Sequence, residues 1–461
     1  MTRLLLALFL TAVALAAKGP VYVVLWFDTE DYIEPAADDA ALRIATDLEK
    51  LGVRATFKVV GEKARVLESR GRRDVIRALA QHDIGYHSNY HSIQPTPALY
   101  LRSMGWLDGA AEFERRERPG VDDIKRIFGV MPSCYGQPGS SWGPQSYRAL
   151  LRMGIPVYLD EGEQVGLNDQ PFWFGGMLHV FGMGRYIVRP ALNDESLLPQ
   201  TFEKFDRAAE ELEARGGGVI STYFHPTEFV TTAFWDMNFA KGANPERSAW
   251  KNPPRRTAED SERCYRILVR YVEHAKTRAS VRFVTARDLP LLYGSALGRV
   301  TDRARIAQHL AQRQTFLDTD AGALSASEML QALLGMEPAA VEGPVARGET
   351  TYRRNEIPRA PFERAKTEAA GFIRASRRLP ADVWVGSEKL SIADFAATVG
   401  ADDGASATVA VRKGNPEMEK YISTDASGSF KWPIHPDGFA APQLLDLARL
   451  QAWTLKPARL K

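Results

Sequence analysis

Two histidines four residues apart, in Gly85-Tyr86-His87-Ser88-Asn89-Tyr90-His91, carry the strongest chemical signal in the chain. With 8 histidines in 461 residues such a pair is uncommon by chance. On one helical turn, residues i and i+4 face the same way, so both imidazoles could reach one cation. The bland alternative is a pair of exposed loop histidines. A catalytic metal site needs a third protein ligand and an open position for water. Asp28-Thr29-Glu30-Asp31 offers three carboxylates, one of which could ligate while another accepts a proton; equally, they could cap a turn or a helix start. His225 is a further imidazole suited to proton transfer.

These groups share a position in the pattern. Val21 to Phe27 is a continuous apolar and aromatic run, read as a strand buried on both faces, and it stops at Asp28. The short runs ending at Tyr86 and Phe224 are likewise strand-like, and are followed by His87 and His225. Between and beyond them lie helical patterns at 39–50, 74–81, 145–153, 202–215 and 259–276, and strand-like stretches at 54–60, 155–159 and 280–285. Strands alternating with helices over about 280 residues predict an α/β fold with a parallel sheet, barrel or doubly wound. Such folds place their working face at the carboxyl ends of the strands.

Composition sets the outer bounds. At roughly 150 residues per domain, 461 residues suggest two or three domains. Lys plus Arg total 59 against 57 Asp plus Glu, a net charge of +2, so no basic excess exists to drive nucleic-acid binding. Cys134 and Cys264 are the only cysteines. They exclude a disulfide scaffold and a cysteine-held zinc, and leave either one bridge or two buried thiols. Residues 1–17 read as a signal peptide, with Arg3, the apolar run Leu4 to Ala17 and small residues at its end, predicting a secreted or periplasmic protein with no later transmembrane segment. The pattern changes after Tyr293. A boundary is expected near residue 298, separating 18–298 from a helix-rich accessory module at 299–461.

The motifs resemble those of the polysaccharide deacetylases of NodB-homology type, over roughly residues 19 to 297. Phe27-Asp28-Thr29-Glu30-Asp31 is similar to the family's acidic motif, His87-Ser88-Asn89-Tyr90-His91 to its His-[Ser/Thr]-x-x-His motif, and Ser221-Thr222-Tyr223-Phe224-His225 to its late strand ending in histidine. The resemblance implies a distorted (β/α) barrel and a hydrolase removing N-acetyl groups from a glycan, a cell-wall polymer first among them. Asp28 would be the general base and His225 the general acid. A divalent metal, zinc before others, would be held by Glu30, or alternatively Asp31, with His87 and His91. Gly136, Gln137, Pro138 and Gly139 partly echo the family's Arg-x-Pro-x-Gly loop and, with Trp142 and Trp235, would contact the substrate.

Gly136 stands where the family's arginine orients the base, and Lys58, Arg185 and Arg189 are the available substitutes. That departure admits a noncatalytic glycan-binding protein as a second reading, and a hydrolase of a small nonsugar amide is a third. Phe362 to Val399 resembles the pseudomurein-binding type of cell-wall repeat, which implies a cell-wall contact through 299–461; a ligand-free packing subdomain is the alternative.

Overall fold

A computed structural model describes residues 19–294, 302–320 and 322–461. The expected leader at 1–17 and the boundary at 298 lie outside the described residues. The sheet is built from β1 (Val21–Thr29), β2 (Thr56–Val59), β3 (Asp83–Tyr86), β4 (Cys134–Tyr135), β5 (Val157–Leu159), β6 (Phe172–Phe174), β7 (Met177–Val180), β8 (Gly218–Phe224) and β9 (Val281–Val284). Strands β7-β5-β4-β3-β2-β1-β8 run in that spatial order and are all parallel. A parallel bridge from Ile187 to Ser221 on β8 brings the segment after β7 back toward the first strands, so the sheet curls on itself. β9 pairs with the amino-terminal half of β1, and β6 adds antiparallel to β7. This is the distorted (β/α) barrel anticipated from the sequence.

The apolar runs explain the strands. Eight of the nine residues of β1 are buried, as a strand with helices on one side and barrel filling on the other must be. The helix Ala36–Lys50 buries Ala37, Ala40, Ala41, Ile44, Ala45 and Leu48, a stripe with helical period that packs on the sheet. Thr257 starts the helix Ala258–Lys276 by accepting the backbone N–H of Asp260. One long helix, Trp106–Phe128, was not anticipated. Its buried Trp106, Ala110, Phe113, Val121, Ile124 and Phe128 are helically spaced, but Pro119-Gly120 in its middle reads as a break.

Beyond residue 302 the chain forms the helices Arg303–Gln312, Ala326–Leu333, Arg359–Ser376, Ile392–Ala401 and Pro442–Gln451, with three short two-stranded sheets. The hairpin Asp382–Val385 with Glu388–Ser391 sits between two of the helices, and its Trp384 is exposed. This part shares one continuous apolar core with the barrel. Its last strand, Lys456–Pro457, joins the barrel sheet antiparallel to β6, and the buried Lys456 ammonium pairs with Glu328 at 2.7 Å. Cys134 and Cys264 are both free and buried, so the bridge left open by the sequence is not formed. No described helix is long and apolar enough to cross a membrane.

Candidate metal centre

Strand register brings the charged groups together. Asp28 on β1 lies beside Lys58 on β2, and Lys58 beside Gly85 on β3. Lys58 is fully buried, and its ammonium reaches Asp28 Oδ1 at 2.9 Å, Asp160 Oδ2 at 2.9 Å and the Leu159 carbonyl at 2.8 Å. It also lies 3.9 Å from the centroid of the Trp26 ring. Two glycines make room for it. A Cβ on Gly85 would stand 2.9 Å from Lys58 Cγ, and one on Gly136 would stand 2.0 Å from the ammonium and 2.4 Å from Asp160 Oδ2. The space beside Gly136, where the motif arginine would begin, is therefore occupied by a cation that reaches across β3 from β2. Of the other candidates, Arg185 is exposed against Asp169 and Glu211, while Arg189 is paired with Glu228 and stacked on Tyr223.

The two histidines of the motif converge, though on a loop rather than the helical turn expected for them. Residues 87–91 follow β3 without helix, and Ser88 and His91 hold left-handed backbone, φ 66° and 57°. Non-glycine residues are uncommon there, and here the reversal turns both rings inward. Buried Glu117 braces the loop: its Oε2 accepts the Asn89 N–H at 2.8 Å and the Tyr86 hydroxyl at 2.6 Å. His87 Nδ1 donates to the Gly136 carbonyl at 3.0 Å, which leaves Nε2 as a ligand atom. His91 Nδ1 engages Ser92 Oγ at 2.6 Å.

Both Nε2 atoms face Glu30 Oε2, His87 at 3.2 Å and His91 at 2.8 Å. The other oxygen, Oε1, accepts the Trp235 indole N–H at 3.0 Å. Asp31 is turned away: its Oδ1 accepts the N–H groups of Ile33 and Glu34, and its Oδ2 the Thr227 hydroxyl at 2.7 Å. One ligand atom each from Glu30, His87 and His91 lie within 4.8 Å of one another, all buried. Such crowding of acceptor atoms fits a divalent cation. A second grouping, Asp28, His87 and Asp160, meets the same distance test, but the Lys58 ammonium already bonds both of its carboxylates.

His225 stands across from this cluster, its Nε2 3.7 Å from Asp28 Oδ2 and its Nδ1 2.9 Å from Glu228 Oε2. Burial pulls its pKa down, but the carboxylates of Glu30, Glu228 and Asp28 outweigh that and raise it to about 9. Glu228 is half-buried, and His225 and Arg189 hold it down to about 2 against that desolvation. Burial and the neighbouring Asp28 push Asp160 up to about 7 against the pull of Lys58. Glu30, despite burial, lies well below the usual carboxylate range because of His91 and His225.

These groups sit at the floor of a cavity of about 680 Å³, at the carboxyl ends of the strands. The substrate residues expected from the sequence divide. Gln137 and Gly139 line the cavity. Gly136 and Pro138 do not; the Gly136 N–H is spent on the Tyr86 carbonyl and its carbonyl on His87. Trp142 lies in the core, its indole bonded to the Tyr147 hydroxyl at 2.9 Å. Trp235 is equally buried and packs on His91 while holding Glu30, so both tryptophans are corrected from sugar platforms to internal supports. Sequence reasoning passed over Asp160, Glu228 and Trp432. Asp160 had the same signal as Asp28, an acid directly after an apolar strand.

No family model matches the chain, and no curated protein matches it significantly. Among solved structures it is similar to the Xyl-CE4 domain of a xylanase from the hindgut metagenome of Trinervitermes trinervoides, at 15% identity over 59% of this chain and 90% of that one, TM-score 0.32. It is similar to a protein of Mycobacterium smegmatis described as a polysaccharide deacetylase, at 15% identity over 59% and 92%, TM-score 0.36. It is also similar to PuuE allantoinase, at 14% identity over 59% and 90%, TM-score 0.41. Other neighbours include a further protein described as a polysaccharide deacetylase, from Pseudomonas aeruginosa, and an acetyl xylan esterase of Clostridium thermocellum.

Proposed function

We propose that the protein is a metal-dependent hydrolase that removes N-acetyl groups from a glycan, with zinc as the ion and an exported location, as the apolar leader suggests. The observation that carries this reading is the convergence of Glu30, His87 and His91 on one buried point, with Asp28 and His225 flanking it. Bound by those three residues, a divalent cation supplies Lewis acidity toward water and toward the amide carbonyl.

The chain's own groups divide the proton transfers. Asp28, held by Lys58 through one oxygen, presents Oδ2 to accept the proton of the attacking water. His225, held by Glu228 through Nδ1, presents Nε2 to protonate the departing amine. The carbonyl of Gly136 fixes the tautomer of His87. A glycan binder without turnover needs neither the base nor the acid, and the missing arginine that motivated that alternative is replaced by Lys58.

The test is acetate release from N-acetylglucosamine oligomers by the zinc-loaded protein and by Asp28→Asn. The variant is expected to lose about 10³-fold in kcat with zinc content unchanged, in the range of a lost general base. Undiminished release by the variant removes Asp28 from the chemistry, and no release by the wild type favours the binder.

A further inference from the structure

The wall of the cavity facing the metal cluster comes from the far end of the chain. Gly428, Ser429, Lys431 and Trp432 line it, and the segment that carries them is sewn to the loop after β5. Val165 bridges Ile422, the Gly166 N–H donates to the Tyr421 carbonyl at 3.2 Å, and the Ser423 N–H donates to the Gln164 carbonyl at 3.0 Å. The Gln164 amide in turn reaches the Ser429 carbonyl at 2.5 Å, and Lys431 pairs with Glu163 at 2.9 Å.

Trp432 is fixed by two separate segments. Its backbone N–H donates to Ser140 Oγ at 2.9 Å and its indole N–H to Asp236 Oδ2 at 2.7 Å. Its ring meets Phe234 edge-on at 5.6 Å, and Phe234 meets His225 edge-on at 4.9 Å. A Cβ on Gly139 would stand 2.4 Å from Trp432 Cδ1, so the ring lies flush against the loop that bears Gln137 and Gly139. The half-buried indole thus has its one polar atom satisfied and offers the cavity an apolar surface, with Gln137, Ser140 and Lys431 as polar neighbours. A flat apolar face beside hydrogen-bonding groups suits a sugar ring, which has a CH face and hydroxyl edges.

We propose that Trp432 and the 428–431 segment form the subsite for the acetamido sugar, and that this wall selects short N-acetylated saccharides over long polymer chains. The inference rests on the deacetylase reading above. Pockets that enclose most of a small ligand measure roughly 300–1,000 Å³, and about 680 Å³ falls among them. The 163–166 loop and the 421–432 segment, tied to each other, bound the cavity on that side.

The experiment compares acetate release by the full-length, zinc-loaded protein from diacetylchitobiose and from a long soluble chitin derivative, per acetyl group. Wild type is expected to favour the dimer at least about tenfold in kcat/KM. Trp432→Leu, which keeps apolar bulk without the flat face, is expected to raise KM for the dimer about tenfold with kcat within about threefold, and Trp432→Phe, which keeps a flat ring but loses the bond to Asp236, to raise KM less. The unchanged kcat separates a lost subsite from a disturbed fold. Equal wild-type rates on polymer and dimer, or an unaltered KM in Trp432→Leu, overturns the inference and leaves the deacetylase reading standing. No acetate from either substrate takes down both.

Discussion

The two halves of the site are built on opposite electrostatic plans. Around His225, Asp28 and Asp160, every carboxylate has a protein cation: Lys58 sits between two of them, and Glu228 is shared by His225 and Arg189. Around Glu30 the partners are two imidazoles and an indole N–H, with no lysine or arginine bonded to it among the described residues. Burying an ionised carboxylate without a counter-charge costs several kcal/mol. The first half is neutralised by fixed cations, whereas the countercharges of Glu30 are imidazoles, which carry charge only when protonated and become ligand atoms when neutral. A cation belongs in the second and would be repelled from the first by Lys58.

The largest effect should come from removing the charge that invites the ion. Glu30→Gln keeps the Trp235 contact through its carbonyl oxygen but deletes the ligand carboxylate. Zinc binding and acetate release are both expected to vanish. Wild-type protein at zinc a hundredfold above its Kd should gain about 2.7 kcal/mol of stability, seen as a rise in Tm that chelator reverses; the variant's Tm should ignore both. A zinc-dependent Tm that persists in Glu30→Gln would break the contrast between the halves.

Lys58→Met attacks the first half. It leaves Asp28 and Asp160 buried together without their shared cation, which should cost about 3–5 kcal/mol of stability. With the base no longer held, kcat should fall roughly 10²-fold, the scale of a misplaced reacting group. Zinc content, measured by atomic absorption, should stay at one equivalent or rise, because the replaced ammonium no longer repels a cation.

A smaller effect follows from the acid. On the proposed reading His225 must carry its proton to protonate the amine; with Glu30 taken up by the metal, Glu228 and Asp28 are the carboxylates left to raise its pKa, and Glu228 sets where the alkaline limb of kcat/KM falls. Glu228→Gln removes one of the raising charges. Its limb should move down by about 1 pH unit, a loss that approaches tenfold on the alkaline side of the limb with little change well below it. A limb that stays in place would show that Glu228 orients the ring without tuning it.

How far the sequence spoke for each half follows from where its residues lie. Asp28, Glu30, His87 and His225 each come directly after an apolar strand, and the carboxyl-end rule picks them out. Asp160 obeys the same rule. Lys58 was harder to find, because a lysine inside a strand run looks like an edge residue until the register sets it between Asp28 and Gly85. The direction of the histidines was misread as a helical turn, since left-handed backbone at Ser88 and His91 leaves no periodic trace. Trp432 had no motif at all: it meets Asp236 across 196 residues, and only the tertiary fold makes that pair.

The contrast also predicts where nothing should happen. Trp142 follows the Gln137–Gly139 loop in sequence, yet its indole points into the core onto Tyr147 and touches neither half of the site. Trp142→Phe removes one buried hydrogen bond and leaves the Tyr147 hydroxyl without its donor, a cost of about 1–2 kcal/mol. Chemical denaturation should register that loss, while kcat, KM for the dimer and zinc content stay within twofold of wild type. Trp235→Phe, equally buried, deletes the donor to Glu30 Oε1 and should weaken zinc binding at least about tenfold, as lost partners of metal ligands do. Two buried tryptophans with similar stability costs and opposite effects on metal affinity would locate the boundary of the Glu30 half at Trp235; a shared effect on zinc would place Trp142 inside it.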